Sequence, residues 1–164
     1  MARLFALLAF AGLIIQAQNL PATPAETVTG KKVEFPAVLH GAISTVIFGF
    51  DKDSNDKITV WLENLTSDGI NAWALANIEN ATTLARPAIR MNLRKGTPAA
   101  IQSRSLVTSK NIAAWKGVLG VTREDLPVVA LFDPEGKLVW HRQGTVSESI
   151  SNELKSEITR LSTR

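Results

Sequence analysis

The chain has 164 residues, 45% of them hydrophobic and 20% charged, and its 18 Lys and Arg against 15 Asp and Glu leave a formal charge of +3. This composition excludes a disordered or fibrous chain and allows one domain with a real core, while so small a charge imposes no nucleic-acid role unless it clusters. There is no cysteine, which excludes disulfides and thiol redox chemistry.

The first residues carry the pattern of a secretory signal: Arg3 is a positive n-region, Leu4 to Ile15 are apolar, and Ala17 is a small residue suited to cleavage before Gln18. The apolar stretch has about a dozen residues, against the roughly 20 that a membrane-spanning helix needs. Residues 1–17 are therefore expected to be a signal peptide, with the mature chain exported to the periplasm or secreted. An exported chain without cysteine must draw its stability from packing and hydrogen bonds. Residues 18–31, rich in Pro and Thr between Asn19 and Gly30, show no apolar period and are predicted to form an extended leader. The domain is expected to occupy residues 32–164.

Ile43 to Phe50 is β-branched and aromatic and reads as a buried strand, with the polar run Asp51 to Asp56 predicted as a loop behind it. Ile58, Trp61, Leu62 and Leu65 recur at helical spacing, with Asp56 or Asn55 suited to the N-cap and Gly69 beyond the end. A second strand is predicted over Ala72 to Ile78, and a short basic helix from Pro87 to Gly96. Leu106 and Val107 suggest a small strand, and Ser109 is placed to cap a helix carrying Ile112, Trp115 and Leu119 that Gly120 stops. Val128 to Phe132, the turn Asp133 to Gly136 and Lys137 to His141 read as a hairpin. Ile150, Leu154, Ile158 and Leu161 stripe a last helix capped by Ser147. Strands parted by helices early and an adjacent pair late predict an α/β fold, a mixed sheet with helices on its faces and a short basic helical insertion.

The segment Gly120 to Gly144, with Pro127 introducing a strand, an Asp-x-x-Gly turn at Asp133 to Gly136, and Trp140 on the returning strand, resembles periplasmic thioredoxin-like and peroxiredoxin-like proteins. Within that superfamily, Ile78 to Ala81, Arg86 to Arg90 and Leu93 to Pro98 resemble a bacterial branch related to the mitochondrial ATP synthase assembly factors. The resemblance implies a thioredoxin-like fold in which Pro127 matches the family's cis-proline beside the active site, so a cis Leu126–Pro127 bond is expected. It also marks a departure. Redox members carry a cysteine between the first long strand and the next helix, where this chain has Asp51-Lys-Asp-Ser-Asn-Asp56. Ser54 has no base nearby in sequence to activate it, so no catalytic residue and no cofactor are assigned.

Asp51, Asp53, Asn55 and Asp56 place oxygens as a calcium loop does, but Asp56 and Leu62 stand where such a loop needs Gly and a bidentate Glu. The competing reading is a solvated turn whose acids complement a helix N-terminus, and no metal ligand is assigned. Arg86, Arg90 and Arg94 recur every fourth residue beside Lys95, a stripe that could grip an acidic protein or an anionic membrane surface, or be solvated and paired with the protein's own acids. His40 and His141 read as structural, and most of Trp61, Trp73, Trp115 and Trp140 as core residues, with room for one to border a groove. The leading expectation is a non-redox module that holds a peptide or protein partner in the cell envelope, with Asp53, Ser54, Leu126 and Pro127 as candidate contacts. Leu126 would there offer backbone groups to an extended peptide. The alternatives are a metal-dependent enzyme using the Asp51–Asp56 loop and a membrane-surface module using the arginine stripe.

Overall fold

Continuous apolar runs in this sequence become the inner strands of one sheet, and runs of helical period become its covers. A computed structural model describes residues 19–163, so the signal segment at residues 1–17 lies outside the described residues. In chain order the elements are β1 (Thr23–Thr27), β2 (Lys32–Phe35), β3 (Ser44–Gly49), α1 (Lys52–Ser67), β4 (Ala72–Asn77), α2 (Arg86–Gly96), β5 (Ser105–Thr108), α3 (Ile112–Val118), β6 (Val128–Phe132), β7 (Leu138–Gln143) and α4 (Glu148–Ser162). The strand order is β2-β1-β5-β4-β3-β6-β7. Parallel pairing joins β3 to β4 and β4 to β5, while β1, β2, β6 and β7 pair antiparallel, so the sheet is mixed as expected.

Every residue of β3 and β6 is buried because helices cover both faces of the sheet there. On one face α3 packs Ile112 and Trp115 onto Phe35, Phe48 and Phe132. On the other, α1 brings Ile58, Trp61, Leu62 and Leu65 against Ile47, Val129 and Leu131, and α4 adds Leu154. The hairpin forms as the sequence predicts. Gly136 has φ +77°, a conformation that favours glycine, and its N–H donates to Asp133 O at 2.9 Å. Ser147 caps α4 by accepting from Ile150 N at 3.3 Å.

The leader is extended, yet it is an interior strand. β1 lies between β2 and β5, with Ala25 opposite Val33 and Glu26 opposite Val107. Its Thr-Pro-Ala-Glu-Thr sequence has no apolar alternation to reveal it. Thr23 and Thr27 are buried because their hydroxyls have partners, Thr23 Oγ1 accepting from Trp115 Nε1 at 2.9 Å.

Three local expectations need correction. The run Asp51 to Asp56 is not a loop, because Asp51 caps α1 and the helix starts at Lys52, five residues before an Asp56 cap would allow. Asn111 rather than Ser109 precedes α3; it has φ 57°, and its amide donates to Ala22 O at 2.8 Å instead of capping the helix. The cis peptide bond among the described residues is Phe35–Pro36, and Leu126–Pro127 is not cis. There the chain is steered into β6 by Gln143, whose side chain accepts from Thr122 N at 3.1 Å and donates to Arg123 O at 2.6 Å, while Gly144 N donates to Pro127 O at 2.9 Å.

Candidate functional site

At the start of α1, where thiol enzymes of the resembling family place their cysteine, a closed hydrogen-bond knot occupies the backbone. Asp51 Oδ1 accepts from Ser54 N at 2.8 Å, and Ser54 Oγ accepts from Phe50 N at 2.8 Å and Asp51 N at 3.0 Å. Its own proton faces Asp51 oxygens at 3.1 and 3.2 Å. Ser54 is fully buried, so it has neither a free lone pair nor access to a substrate; it is a capping residue, not a contact. Replacing Ser54 with Ala leaves two backbone N–H groups without an acceptor, and a loss of about 1–3 kcal/mol is expected in urea unfolding. A loss under about 0.3 kcal/mol would show that water reaches those groups.

Asp53 is exposed on the first turn and Asp56 is turned toward Lys52, with which it pairs at 2.7 Å on the surface. The acids thus spread around a helix instead of converging, and among the described residues no group of three His, Asp or Glu is placed to hold a metal. The histidines serve separate places. The His40 ring lies across Gly136, and His141 sits in β7 opposite Ala130, where burial, aided by the Arg142 charge, pushes its imidazole below the usual range.

The Leu126 rim does come to this end of the molecule: Lys57 Nζ, on α1, donates to Asp125 O at 2.6 Å. Its backbone, however, is already used. Leu126 N donates to Arg123 O at 3.3 Å, Leu126 O accepts from Gln143 Nε2 at 3.3 Å, and Pro127 is buried. The expectation that Leu126 offers free pairing groups loses its basis, because its N–H and its C=O already have partners within the chain.

The sequence did not point to the concavity that the fold does build. A cavity of about 680 Å³ opens between α1, β4 and α2, lined by Ile58 and Leu62, by Ala74 and Ala76, and by Ile89 and Leu93. It reaches Phe50 and Asn77, beyond or at the carboxyl ends of β3 and β4, the edge at which open α/β sheets take ligands. Small side chains on one face of β4 create the space, while Trp73 and Leu75 point to the other. Alternation of Ala with large residues in Ala72-Trp-Ala-Leu-Ala76 was the available signal. Asn55 and Asn77 close its inner end: Asn55 Nδ2 donates to Asn77 O at 3.0 Å, Asn77 Nδ2 donates to Phe50 O at 2.8 Å, and buried Asn55 Oδ1 has no donor. α2 has no buried residue at all; it is a cover laid over the opening.

The arginine stripe divides across this cover. Arg86 and Arg90 are half-buried, Arg86 Nε donating to Ala81 O at 3.2 Å and Arg90 pairing with Glu26 of β1. Arg94 and Lys95 are exposed.

This fold superposes on solved structures over most of the chain. BsSco, described as a member of the Sco family of cytochrome c oxidase assembly proteins, superposes with TM-score 0.59 at 14% identity, over 88% of this chain and 93% of that one. The fold is thioredoxin-like. Yeast Sco1 aligns with this thioredoxin-like chain at TM-score 0.55 and 22% identity, over 83% and 94% of the two chains. The pneumococcal exposed lipoprotein thioredoxin Etrx1 from Streptococcus pneumoniae aligns at TM-score 0.53 and 18% identity, over 83% and 99%. Identities this low establish the thioredoxin-like fold alone. By sequence no family profile and no curated protein matches, and none of the comparisons supports the finer resemblance to ATP synthase assembly factors. Among the described residues no helix is long and apolar enough to cross a membrane.

Proposed function

We propose that this chain is a non-redox thioredoxin-like binding or assembly module that holds a peptide or protein partner in the cell envelope. The observation that carries the reading is the cavity under α2: its volume and largely apolar walls suit a buried anchor side chain and its neighbours. The cover itself is unfinished on the outside, for Leu84 just before it is 93% exposed and Met91 on it is 58% exposed. Apolar groups both under and over one loosely packed helix are what a partner would cover. The knot at Ser54 supports the same reading, because it fills the reactive position with structure. The signal pattern of residues 1–17 supports export, as does the shared fold with an exposed lipoprotein. An assembly role agrees with the description of BsSco as belonging to a family of assembly proteins.

The test is selection of peptides from a random display library on the purified chain, followed by affinity measurement on Ile89→Asp. Ile89 lines the cavity from α2 yet is only half-buried, so the variant should fold. A charge placed on the apolar wall should weaken selected peptides at least about tenfold, equivalent to about 1.4 kcal/mol. Failure to select any peptide, or unchanged affinity in Ile89→Asp, would overturn the reading.

A further inference from the structure

On the other flank of α2 a second concavity of about 520 Å³ lies between β1, the end of β5 and the helix. Lys32, Arg86, Arg90 and Lys110 line it, and Glu26 is the carboxylate among them, already paired with Arg90. A sequence with a formal charge of only +3 thus gathers four cations around one cleft. We infer that this cleft receives acidic side chains of the bound partner, an inference that rests on the binding-module reading.

Three features argue for carboxylates. Two of the cations are guanidiniums, whose flat forks match a carboxylate with two parallel hydrogen bonds. They are also held in place: Arg86 is fixed through Nε by Ala81 O and Arg90 by Glu26, so less side-chain freedom is lost on binding than for two free chains. Among the described residues the Lys32 and Lys110 ammonium groups have no acidic partner. Pro24, Val33, Pro87 and Val107 wall the cleft, and apolar walls displace water and lower the local screening of a charge pair. Shape argues for a protein segment over a membrane. A recess between two strands and a helix admits side chains, whereas a bilayer surface would meet the outward residues Arg94 and Lys95.

The experiment uses a fluorescent Gly/Ser-rich peptide carrying several Glu and its Gln counterpart, titrated with the full mature chain by anisotropy. The Glu peptide is expected to bind at least about fivefold tighter at low salt, a margin mostly lost near 0.5 M salt because partly exposed charges are screened. Arg86→Gln with Lys110→Gln should remove the margin; Arg94→Gln with Lys95→Gln should keep it. Arg90 stays in both variants because Glu26 depends on it, and an unchanged unfolding midpoint certifies the fold. Equal binding of the two peptides, or a margin that survives the Arg86/Lys110 variant, overturns the inference. So does sedimentation with phosphatidylserine vesicles that is abolished by the Arg94/Lys95 variant, in the absence of a Glu-peptide margin. If library selection yields peptides that need Ile89 and have no acidic residues, the cleft assignment falls while the module reading stands.

Discussion

Trp115→Ala is expected to cost about 4 kcal/mol, the middle of the range for truncating a large buried aromatic residue. The indole is 1% exposed and central to an aromatic cluster, with ring centroids 5.1 Å from Phe35, 5.3 Å from Phe48 and 6.5 Å from Phe132. It also joins two distant parts of the chain, since its Nε1 donates to Thr23 Oγ1 at 2.9 Å and so fastens β1 under α3. Domains of this size are stable by about 5–15 kcal/mol, so the variant should be partly unfolded at modest urea. Trp115→Phe keeps most of the packing and loses the hydrogen bond, with an expected cost of about 1–2 kcal/mol. Urea unfolding followed by circular dichroism compares the two. An Ala variant within about 1 kcal/mol of the Phe variant would mean that the cluster repacks and that the indole is not its centre.

Gly49→Ala is expected to cost about 2–3 kcal/mol, although Gly49 is in an ordinary strand conformation and its replacement would by propensity favour the sheet. The reason is a close approach. A Cβ at this position would fall on Asn55 Oδ1 and lie 2.9 Å from Ile58 Cδ1 and 3.1 Å from Asn55 Cα. The Asn55 amide can rotate away only by giving up its bond to Asn77 O, which closes the inner end of the cavity, and the backbone contact still presses α1 outward. Asn55→Ala in the same background relieves the side-chain overlap and keeps the backbone one. The double variant should therefore recover part of the loss, and affinity for selected peptides should fall with Gly49→Ala alone. A Gly49→Ala variant as stable as the parent would refute so close a packing of α1 on β3.

What was legible in the sequence follows from periodicity. Ile58, Trp61, Leu62 and Leu65 repeat at 3.6 residues and are all buried in α1, and the β6–β7 hairpin announces itself by its Asp133 to Gly136 turn. The resemblance carried by Gly120 to Gly144 leads to the thioredoxin-like fold. β1 could not be read, because it has no apolar alternation and Thr23 is buried by a tertiary hydrogen bond from Trp115 that no local pattern encodes, while Thr27 is held by the turn bond from Lys31 N. The cap of α1 was misplaced because three Asp residues compete for it, and only the reciprocal bonds with Ser54 select Asp51. The cis bond expected at Pro127 rested on resemblance alone, and the Gln143 contacts that shape the rim come from a strand away. Of the candidate contacts, Asp53 is exposed and Leu126 partly so, whereas Ser54 and Pro127 are buried. The arginine stripe was visible, but its division into a half-buried pair and an exposed pair depends on Glu26, distant in sequence.

The position of β1 also predicts an order of events when the chain folds. β3, α1 and β4 are adjacent in sequence and close a βαβ unit by themselves, whereas β1 shares only a four-residue ladder with β2 nearby. Two-stranded ribbons are marginal in water. The remaining attachments of β1 are late ones: Val107 pairs with Glu26, the Thr108 hydroxyl donates to Pro24 O at 2.7 Å, and Trp115 bonds Thr23. Closing so long a loop carries an entropy cost that these contacts offset only once β5 and α3 have formed. The first strand of the described chain is thus expected to be secured after β5 and α3, and pulsed amide exchange during refolding should protect residues 44–49 before residues 23–27.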